Sequence, residues 1–249
     1  HKLFSRNSAS SRAIPISKMI ADVLEDPAMF VYWGRNQSGM QAATELSGEE
    51  IEWAKIRWLR ARDAAVEHAR SLSSLGLHKQ SVNRVLEPWM HITVILTATD
   101  YANFYKLRCH PDAQPEMQAL AYAMRSAHFN SVPVDRTELT GIDRWHLPLV
   151  TDEERREVGD DAIKVSTGRC ARVSYLTHDG RRDPLADIEL HDRLAASGHW
   201  SPFEHVACPL VVPWWAPWRS ERSGNLFGWE QYRKRLPAEH PFTGGQVFP

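Results

Sequence analysis

One long helix with recognisable ends constrains the fold more than any other feature of this sequence. Ser47 and Glu50 have the spacing of a capping box, in which two side chains satisfy free backbone amides at a helix start. Apolar residues then recur at steps of three and four, and Gly76 is typical of a helix end. The residues of this apolar face are Ile51, Ala54, Trp58, Ala61 and Ala65. The pattern predicts an amphipathic helix from about Ser47 to about Leu75.

Other segments of the first 130 residues also have helical patterns. A helical stretch is predicted from Trp89 to Arg108, where threonines and alanines favour close helix packing, although periodicity alone also allows a strand. A further helix is predicted over residues 112–129, with Pro115 tolerated in its first turn. Residues 14–26 are expected to combine a short extended piece with one or two helical turns.

The character of the sequence changes after residue 150. Thr151 and Glu154 predict the start of a short charged helix. Residues 161–175 are interpreted as a strand or a helix-to-strand joint, and residues 205–218 as a buried strand.

Between these segments, another helix has signals at both ends. Asp183 is predicted as its N-cap, Pro184 as its first residue and Gly198 as its end. The overall pattern is helix-rich with few strands and no alternating strand–helix series, so the sequence predicts an α+β fold.

Composition limits the class of protein. The 249 residues carry a net charge of −1 with a pI of about 6.9. No global positive field therefore favours binding to a nucleic acid polymer or a membrane surface. No apolar run approaches the roughly 20 residues that span a bilayer, and no signal peptide is recognised. The odd number of well-separated cysteines indicates reduced thiols, so a soluble, cytoplasmic protein is expected.

A cluster of anion-binding side chains opens the sequence, HKLFSRNSASSR, residues 1–12. Serine hydroxyls, an asparagine amide and an arginine are suited to phosphate oxygens, because charge-assisted donors bind them most strongly. Small residues also allow backbone amides to approach an anion. The alternative interpretation is a solvated, serine-rich tail.

Two further clusters contain chemistry-bearing residues. Residues 198–205, GHWSPFEH, include His199, Glu204 and His205, which raise the alternative of a zinc site. Their spacing does not match two histidines one helical turn apart, and a helix end followed by a turn is favoured over zinc. The third cluster comprises Arg84, Asn103, Arg108, Gln114 and Glu116, each of which could equally be a surface or structural residue.

Together these clusters resemble one family. Residues 1–12 resemble the signature of flavin-dependent thymidylate synthases (the ThyX family), Arg-His-Arg-x-x-Ser-x-Asn-x-x-Ser-x-Arg. Ser5, Asn7, Ser10 and Arg12 match it in register, and Lys2 replaces the second arginine. The other segments that resemble elements of the family are CARVSY (170–175), GHWSPFEH (198–205), NRVLEP (83–88) and NFYKLRCHPDAQPEMQ (103–118).

The order of these motifs differs from that of the family. There, the segments resembling residues 170–175 and 198–205 precede the signature, whereas here they follow it. The resemblance therefore implies a circularly permuted, ThyX-like single catalytic domain over residues 1–249. Residues 1–150 would contain the signature loop and helical half, and residues 151–249 the permuted N-terminal half. The competing explanation is a chain that lacks residues before His1.

The resemblance implies helices packed around a curved, mostly antiparallel sheet, and a homotetramer with active sites at subunit interfaces. It implies FAD as cofactor, with NADPH and methylenetetrahydrofolate as co-substrates, for C5-methylation of a uridine monophosphate. The substrate would be dUMP or, as in nucleoside-antibiotic pathways, UMP. No metal is implied.

The resemblance also implies roles for individual residues. Arg108 is the candidate catalytic residue, because it would contact and activate the pyrimidine ring. The candidate substrate-binding residues are Ser10, Ser11, Arg12, Arg84, Arg108 and Gln231. The candidate cofactor-binding residues are His1, Lys2, Asn7, Asn103, His199 and Ser201.

Several positions depart from the family pattern. Ser8 replaces a common glutamate, Ala13 replaces a tyrosine, and Thr97 and Thr99 stand where an asparagine and an arginine are typical. These departures leave open a different class of function, a non-catalytic nucleotide-binding protein that has lost its flavin contacts. A zinc hydrolase that uses His199 and His205 is the third hypothesis.

Overall fold

The structure, a computed structural model, describes residues 4–175, 182–211 and 222–239. Helices account for most of the regular structure, and the strands are short and antiparallel. The α+β class expected from the sequence is therefore confirmed. No helix within the described ranges is both long enough and apolar enough to cross a membrane.

The chain divides into two compact units. We call residues 1–9, 93–100 and 133–249 the sheet unit, and residues 10–92 and 101–132 the helical unit. Both units are assembled from separate segments, so neither corresponds to the predicted halves 1–150 and 151–249. That the chain forms one catalytic domain stays a prediction.

The helical unit contains the predicted long helix. Its elements are α1 (Ile16–Glu25), α2 (Gly48–Ser74), α3 (Lys79–Val82), α4 (Ala102–Arg108) and α5 (Pro115–Asn130). The capping box that starts α2 is present, because the Ser47 amide donates to Glu50 Oε2 at 3.0 Å and the Ser47 hydroxyl donates to it at 2.7 Å. The residues that α1 and α2 bury are Met19, Ile20, Val23, Ala65, Val66 and Ala69.

The sheet unit contains two small antiparallel sheets. Strand β1 (Ser5–Ser8) pairs with β2 (Val94–Thr97), and β3 (Ala207–Pro209) pairs with β4 (Trp229–Gln231). Ser5 lies opposite Thr97 in the first sheet, and Ala207 lies opposite Gln231 in the second. The helices of this unit are α6 (Asp152–Val158), α7 (Ala162–Tyr175) and α8 (Pro184–Ala196).

Helices α7 and α8 pack closely through a glycine and a buried ion-pair network. A Cβ at Gly168 would collide with the backbone carbonyl of Asp187, so only glycine permits this approach. The Asp187 side chain is 1% exposed and accepts from Arg169 Nε at 3.0 Å and Arg172 Nε at 2.5 Å. Arg169 also donates to both carboxylate oxygens of Glu154, on α6.

Two local predictions are wrong. Val94–Thr97 is a strand and not part of a helix, because it pairs with Ser5–Ser8, a partner far away in the sequence. Residues 162–175 form a helix and not a strand or a joint. Their β-branched residues resemble a strand pattern, but Gly168 allows the close approach of α8 that holds the segment as a helix.

The predicted starts of three other helices are confirmed. Pro115 is the first residue of α5, α6 begins with the predicted capping box, and Asp183 caps α8 through its side chain. Residues 14–26 hold more helix than expected, since α1 has ten residues. The predicted strand over residues 205–218 is observed only as Ala207–Pro209, and its part from residue 212 on lies outside the described residues.

Candidate functional site

The segment Ser10–Ile14 forms a tight turn, here called the Ser10 turn. The Ala13 amide donates to the Ser10 carbonyl at 2.9 Å, and the Ile14 amide donates to the Ser11 carbonyl at 3.3 Å. The residues immediately before the turn form β1, in which Ser5 and Asn7 are buried. The interpretation of the opening residues as a solvated tail is therefore wrong from Ser5 onward.

Two side chains fix the shape of the Ser10 turn. Asn83, which is fully buried, donates through Nδ2 to the Ser11 carbonyl at 2.7 Å and to the Ile14 carbonyl at 2.9 Å. Lys79 Nζ donates to the Ala13 carbonyl at 3.0 Å. Helix α3 and the 3₁₀ turn Asn83–Val85 therefore anchor the Ser10 turn through its backbone.

Two exposed arginines accompany this anchored turn. Arg12 lies within it, and Arg84 directly follows the anchoring Asn83. Among the described residues, no carboxylate lies within ion-pair distance of either guanidinium; the Arg12 Nε contact to Ser10 Oγ is long, at 3.5 Å. Exposed guanidinium groups on a rigid backbone are suited to binding phosphate or carboxylate oxygens.

Ser11 has a different environment from its neighbours. Its side chain is largely buried, and its hydroxyl donates to Glu87 Oε1 at 2.6 Å. A phosphate could accept from this hydroxyl only if the bond to Glu87 were broken. The role of Ser11 as a direct phosphate ligand stays a prediction, and the geometry favours Ser10, Arg12 and Arg84 over it.

Helix α4 carries the remaining candidates of the helical unit. Asn103 lies exposed in its first turn, and Arg108 is its last residue and is partly exposed. Five positions correspond to about 140° around a helix, so the two side chains leave α4 on different sides. Arg108 has no ion-pair partner among the described residues, and the helix C-terminus favours a cation at its position.

Asn7 is part of the interior of the sheet unit. It is 3% exposed, and its Nδ2 donates to the carbonyl of Cys170 on α7 at 3.4 Å. Burial raises the pKa of the Cys170 thiol, so this cysteine remains protonated. Asn7 therefore connects β1 to α7, and its amide is not presented to solvent.

Gln231 belongs to a buried polar cluster, which we define as Ser5, Asn225, Gln231 and the carbonyl of Glu204. The Gln231 amide donates to Asn225 Oδ1 at 2.8 Å, to the Glu204 carbonyl at 3.0 Å and, at 3.4 Å, to Ser5 Oγ. Ser5 Oγ in turn donates to Asn225 Oδ1 at 3.1 Å. Both hydrogens of the amide are therefore used internally, and the predicted contact of Gln231 with substrate has no free donor in this arrangement.

The segment GHWSPFEH, residues 198–205, combines exposed and buried positions. Gly198 has a φ of +70° and ends α8; the His199 amide donates to the Leu194 carbonyl at 3.0 Å, as in a Schellman motif. His199 and Ser201 are exposed, whereas Phe203 is fully buried. The motif therefore presents two polar side chains from a segment that Phe203 anchors.

His205 ends this segment inside the protein. Its Nδ1 lies 2.8 Å from Thr97 Oγ1 on β2, and its Nε2 is buried without a hydrogen-bond partner among the described residues. Burial lowers the pKa of His205 from 6.5 to about 4, so the ring is neutral near pH 7. Thr97, one of the departures from the family pattern, thus has a structural partner here.

The residues assigned to FAD fit that cofactor unequally. His199 and Ser201 are exposed donors from the sheet unit, and Asn103 is an exposed amide of the helical unit. Asn7 does not fit, because its amide is buried against α7. His1 and Lys2 lie outside the described residues.

The zinc alternative depends on His199 and His205. The first is exposed, whereas the second is buried and bonded to Thr97. Within the ranges that the structure describes, no three histidine, cysteine, aspartate or glutamate side chains gather as metal ligands would.

Sequence reasoning missed several residues that position the site. Asn83 anchors the Ser10 turn, Glu87 binds Ser11, and Asn225 connects Ser5 with Gln231. Both Asn83 and Glu87 belong to the segment NRVLEP, on which part of the resemblance rests, but the motif does not indicate their contacts. No local signal indicates Asn225, because its partners are distant in the sequence.

Three comparisons with known proteins bear on the assignment. No family profile, curated protein or solved structure matches this chain. The candidate site therefore rests on the resemblance of its motifs and on the geometry described above.

Proposed function

We propose that this protein is a flavin-dependent uridylate C5-methyltransferase with a circularly permuted ThyX-like fold, in which helices pack around a curved sheet. It would transfer the methylene carbon of methylenetetrahydrofolate to C5 of dUMP or UMP, and it would act as a cytoplasmic homotetramer. The observation that carries the proposal is the anchored Ser10 turn with Arg12 and Arg84.

This turn supports nucleotide binding for three reasons. Asn83 and Lys79 fix its backbone, so little order remains to be gained when an anion binds. Arg12 and Arg84 are exposed and have no carboxylate partner among the described residues. A nucleotide monophosphate carries the dianion that two guanidinium groups bind well.

Arg108 supports the second half of the proposal. A cation beside the pyrimidine stabilises the negative charge that develops when C5 becomes a nucleophile. Arg108 has no competing carboxylate among the described residues, and it is held at the end of a helix. It would therefore be the catalytic residue, while Arg12 and Arg84 would supply binding.

The reaction balances with the co-substrates that the resemblance implies. The new C5–CH₃ group takes its carbon from methylenetetrahydrofolate, the C5 proton leaves to water, and tetrahydrofolate is released. When bound, FAD would supply the hydride that completes the methyl group, and NADPH would be the source of both electrons. Of the residues that the resemblance assigns to the flavin, His199, Ser201 and Asn103 are exposed, each within its own unit.

The decisive experiment is a turnover assay with FAD, NADPH, methylenetetrahydrofolate and either dUMP or UMP, followed by mass analysis of the nucleotide. We expect a gain of one methyl group and a yellow protein. Arg108→Ala should abolish turnover without loss of flavin, and Arg57→Ala, an exposed arginine of α2, serves as the matched control. Absence of methylation with both nucleotides would contradict the proposal, and full activity of Arg108→Ala would contradict the role of that residue.

A second candidate function is a non-catalytic nucleotide-binding protein. It is favoured by Asn7, Gln231 and Thr97, whose side chains form hydrogen bonds within the protein. At these three positions the family pattern implies contacts with cofactor or substrate. In that case the purified protein would bind UMP or dUMP but stay colourless after incubation with FAD. Retention of flavin through gel filtration would exclude this candidate.

A further inference from the structure

Helix α2 has an outer face with exposed large apolar side chains. Trp53 is 60% exposed and Ile56 is 41% exposed. The buried residues of α2, Ala65, Val66 and Ala69, belong to its other face and its second half. Exposed apolar residues three positions apart on one helix face are typical of a surface that binds another helix.

Charged residues flank this pair in a regular pattern. Glu49 lies four positions before Trp53, and Arg60 lies four positions after Ile56. Spacings of four, three and four place all four residues on one stripe, because a helix has 3.6 residues per turn. Glu49 and Arg60 are both exposed, and neither forms an ion pair within the described residues.

The charged and apolar residues of this stripe are complementary to those of a second α2 helix that runs antiparallel to it. In an antiparallel pair of α2 helices with a two-fold axis between residues 54 and 55, Trp53 lies opposite Ile56 of the partner subunit. In the same register, Glu49 lies opposite Arg60 of the partner subunit, and symmetry repeats both contacts. A parallel pair would instead place like charges together.

We infer that the outer face of α2 is a self-association surface, on which a second copy of this chain docks through Glu49, Trp53, Ile56 and Arg60 in antiparallel orientation. The resemblance implies a homotetramer without indicating which surfaces form it. This inference names one surface and does not depend on the proposed activity.

The expected strength follows from the size of the surface. The stripe covers about three helical turns, or roughly 16 Å of helix, so the buried area falls below that of a standard stable interface. We expect association in the micromolar range, with Trp53 as the main contributor, because tryptophan at the centre of an interface commonly dominates binding.

The test uses charge reversal and sedimentation equilibrium over a range of protein concentrations. Glu49→Arg alone and Arg60→Glu alone should each weaken self-association about tenfold, because both create like-charge contacts across the two-fold axis. An equimolar mixture of these two variants should associate as strongly as the wild type, since every cross-helix pair is then of opposite charge. A parallel arrangement or an unrelated surface does not predict this rescue by mixing.

Control variants distinguish loss of this surface from a general change in net charge or in folding. Trp53→Ala should weaken association at least about tenfold, and Arg70→Glu, a reversal outside the stripe on α2, should leave it unchanged. Circular dichroism should show equal helix content for all variants, because every altered side chain is exposed. A wild-type chain that is monomeric throughout, variants with unchanged association, or a mixture that does not recover would each overturn the inference.

Discussion

The Ser10 turn and the polar cluster around Gln231 are built from similar residues but leave them in opposite states. In the turn, buried Asn83 and partly buried Lys79 donate to backbone carbonyls, and the guanidinium groups of Arg12 and Arg84 remain exposed. In the cluster, the amide of Gln231 donates its hydrogen bonds to Ser5, Asn225 and the Glu204 carbonyl.

The difference separates residues that build the protein from residues that are free to bind a ligand. A side chain whose donors are satisfied inside the fold contributes to stability, whereas an exposed, anchored donor contributes to affinity. Substitutions in the two regions should therefore affect different measurements, and the following predictions test that separation from the largest effect to the smallest.

The largest loss of stability is expected in the interior of the sheet unit. Asp187→Ala removes the buried carboxylate shared by Arg169 and Arg172, and it should lower the free energy of unfolding by about 3–5 kcal/mol. Urea denaturation measures this change. The control Asp192→Ala, at an exposed carboxylate on the same helix, should cost less than about 1 kcal/mol, and equal losses would argue against a special role of the network.

Gln231→Ala tests the polar cluster directly. It leaves the Glu204 carbonyl without this donor, removes one of the two donors to Asn225 Oδ1 and opens a cavity, so we expect a loss of about 3 kcal/mol in unfolding free energy. A variant with wild-type stability but much weaker nucleotide binding would instead indicate that Gln231 contacts substrate directly.

His205 should make the stability of the protein fall at low pH. The pKa of His205 is about 4 in the folded protein and 6.5 when the ring is exposed to solvent, so between these pH values the unfolded state binds more protons. Stability from this group is complete above about pH 6.5 and is lost as the pH falls towards 4, by about 2 kcal/mol at pH 5. Urea titrations of wild type and His205→Gln at pH 5 and pH 7 should show a smaller pH dependence in the variant. Identical pH dependence would mean that His205 is protonated without cost.

The smallest expected change in free energy concerns the exposed turn. Arg12→Ala and Arg84→Ala should each weaken nucleotide binding about tenfold, or about 1.4 kcal/mol, with unfolding free energy within about 0.5 kcal/mol of the wild type. Isothermal titration calorimetry with dUMP and UMP measures the affinity. Loss of stability without loss of affinity would show that Arg12 and Arg84 stabilise the fold and do not bind the nucleotide.

Local signals in the sequence were reliable where the determining contacts are local. The capping boxes of Ser47 and Thr151 and the end of α8 at Gly198 depend on residues within a few positions, and all are observed. Strand β2 was mistaken for helix because its partner, β1, is far away in the sequence. Helix α7 was mistaken for a strand because its packing depends on Gly168 meeting Asp187.

The same reasoning explains what could be predicted of the candidate site. The roles proposed for Arg12, Arg84 and Arg108 come from the family resemblance; Arg12 and Arg84 are exposed, and Arg108 is partly exposed. The burial of Asn7 and Gln231 depends on Cys170 and Asn225, which no motif connects with them. A sequence motif therefore indicates a segment of the candidate site. The tertiary contacts determine which side chains of that segment remain available to bind a ligand.

The pairing of β1 with β2 also has a consequence for folding. These strands close a loop of more than 80 residues, and the Ala9 amide donates to the Thr93 carbonyl at 2.9 Å where that loop leaves and returns. Closing an unstructured loop of this length costs roughly 4 kcal/mol of chain entropy. Helices α1, α2 and α3 lie within that loop and are stabilised by nearby contacts, so they should form early and shorten the effective loop. We therefore expect the first sheet to form late in folding, after the intervening helices have formed.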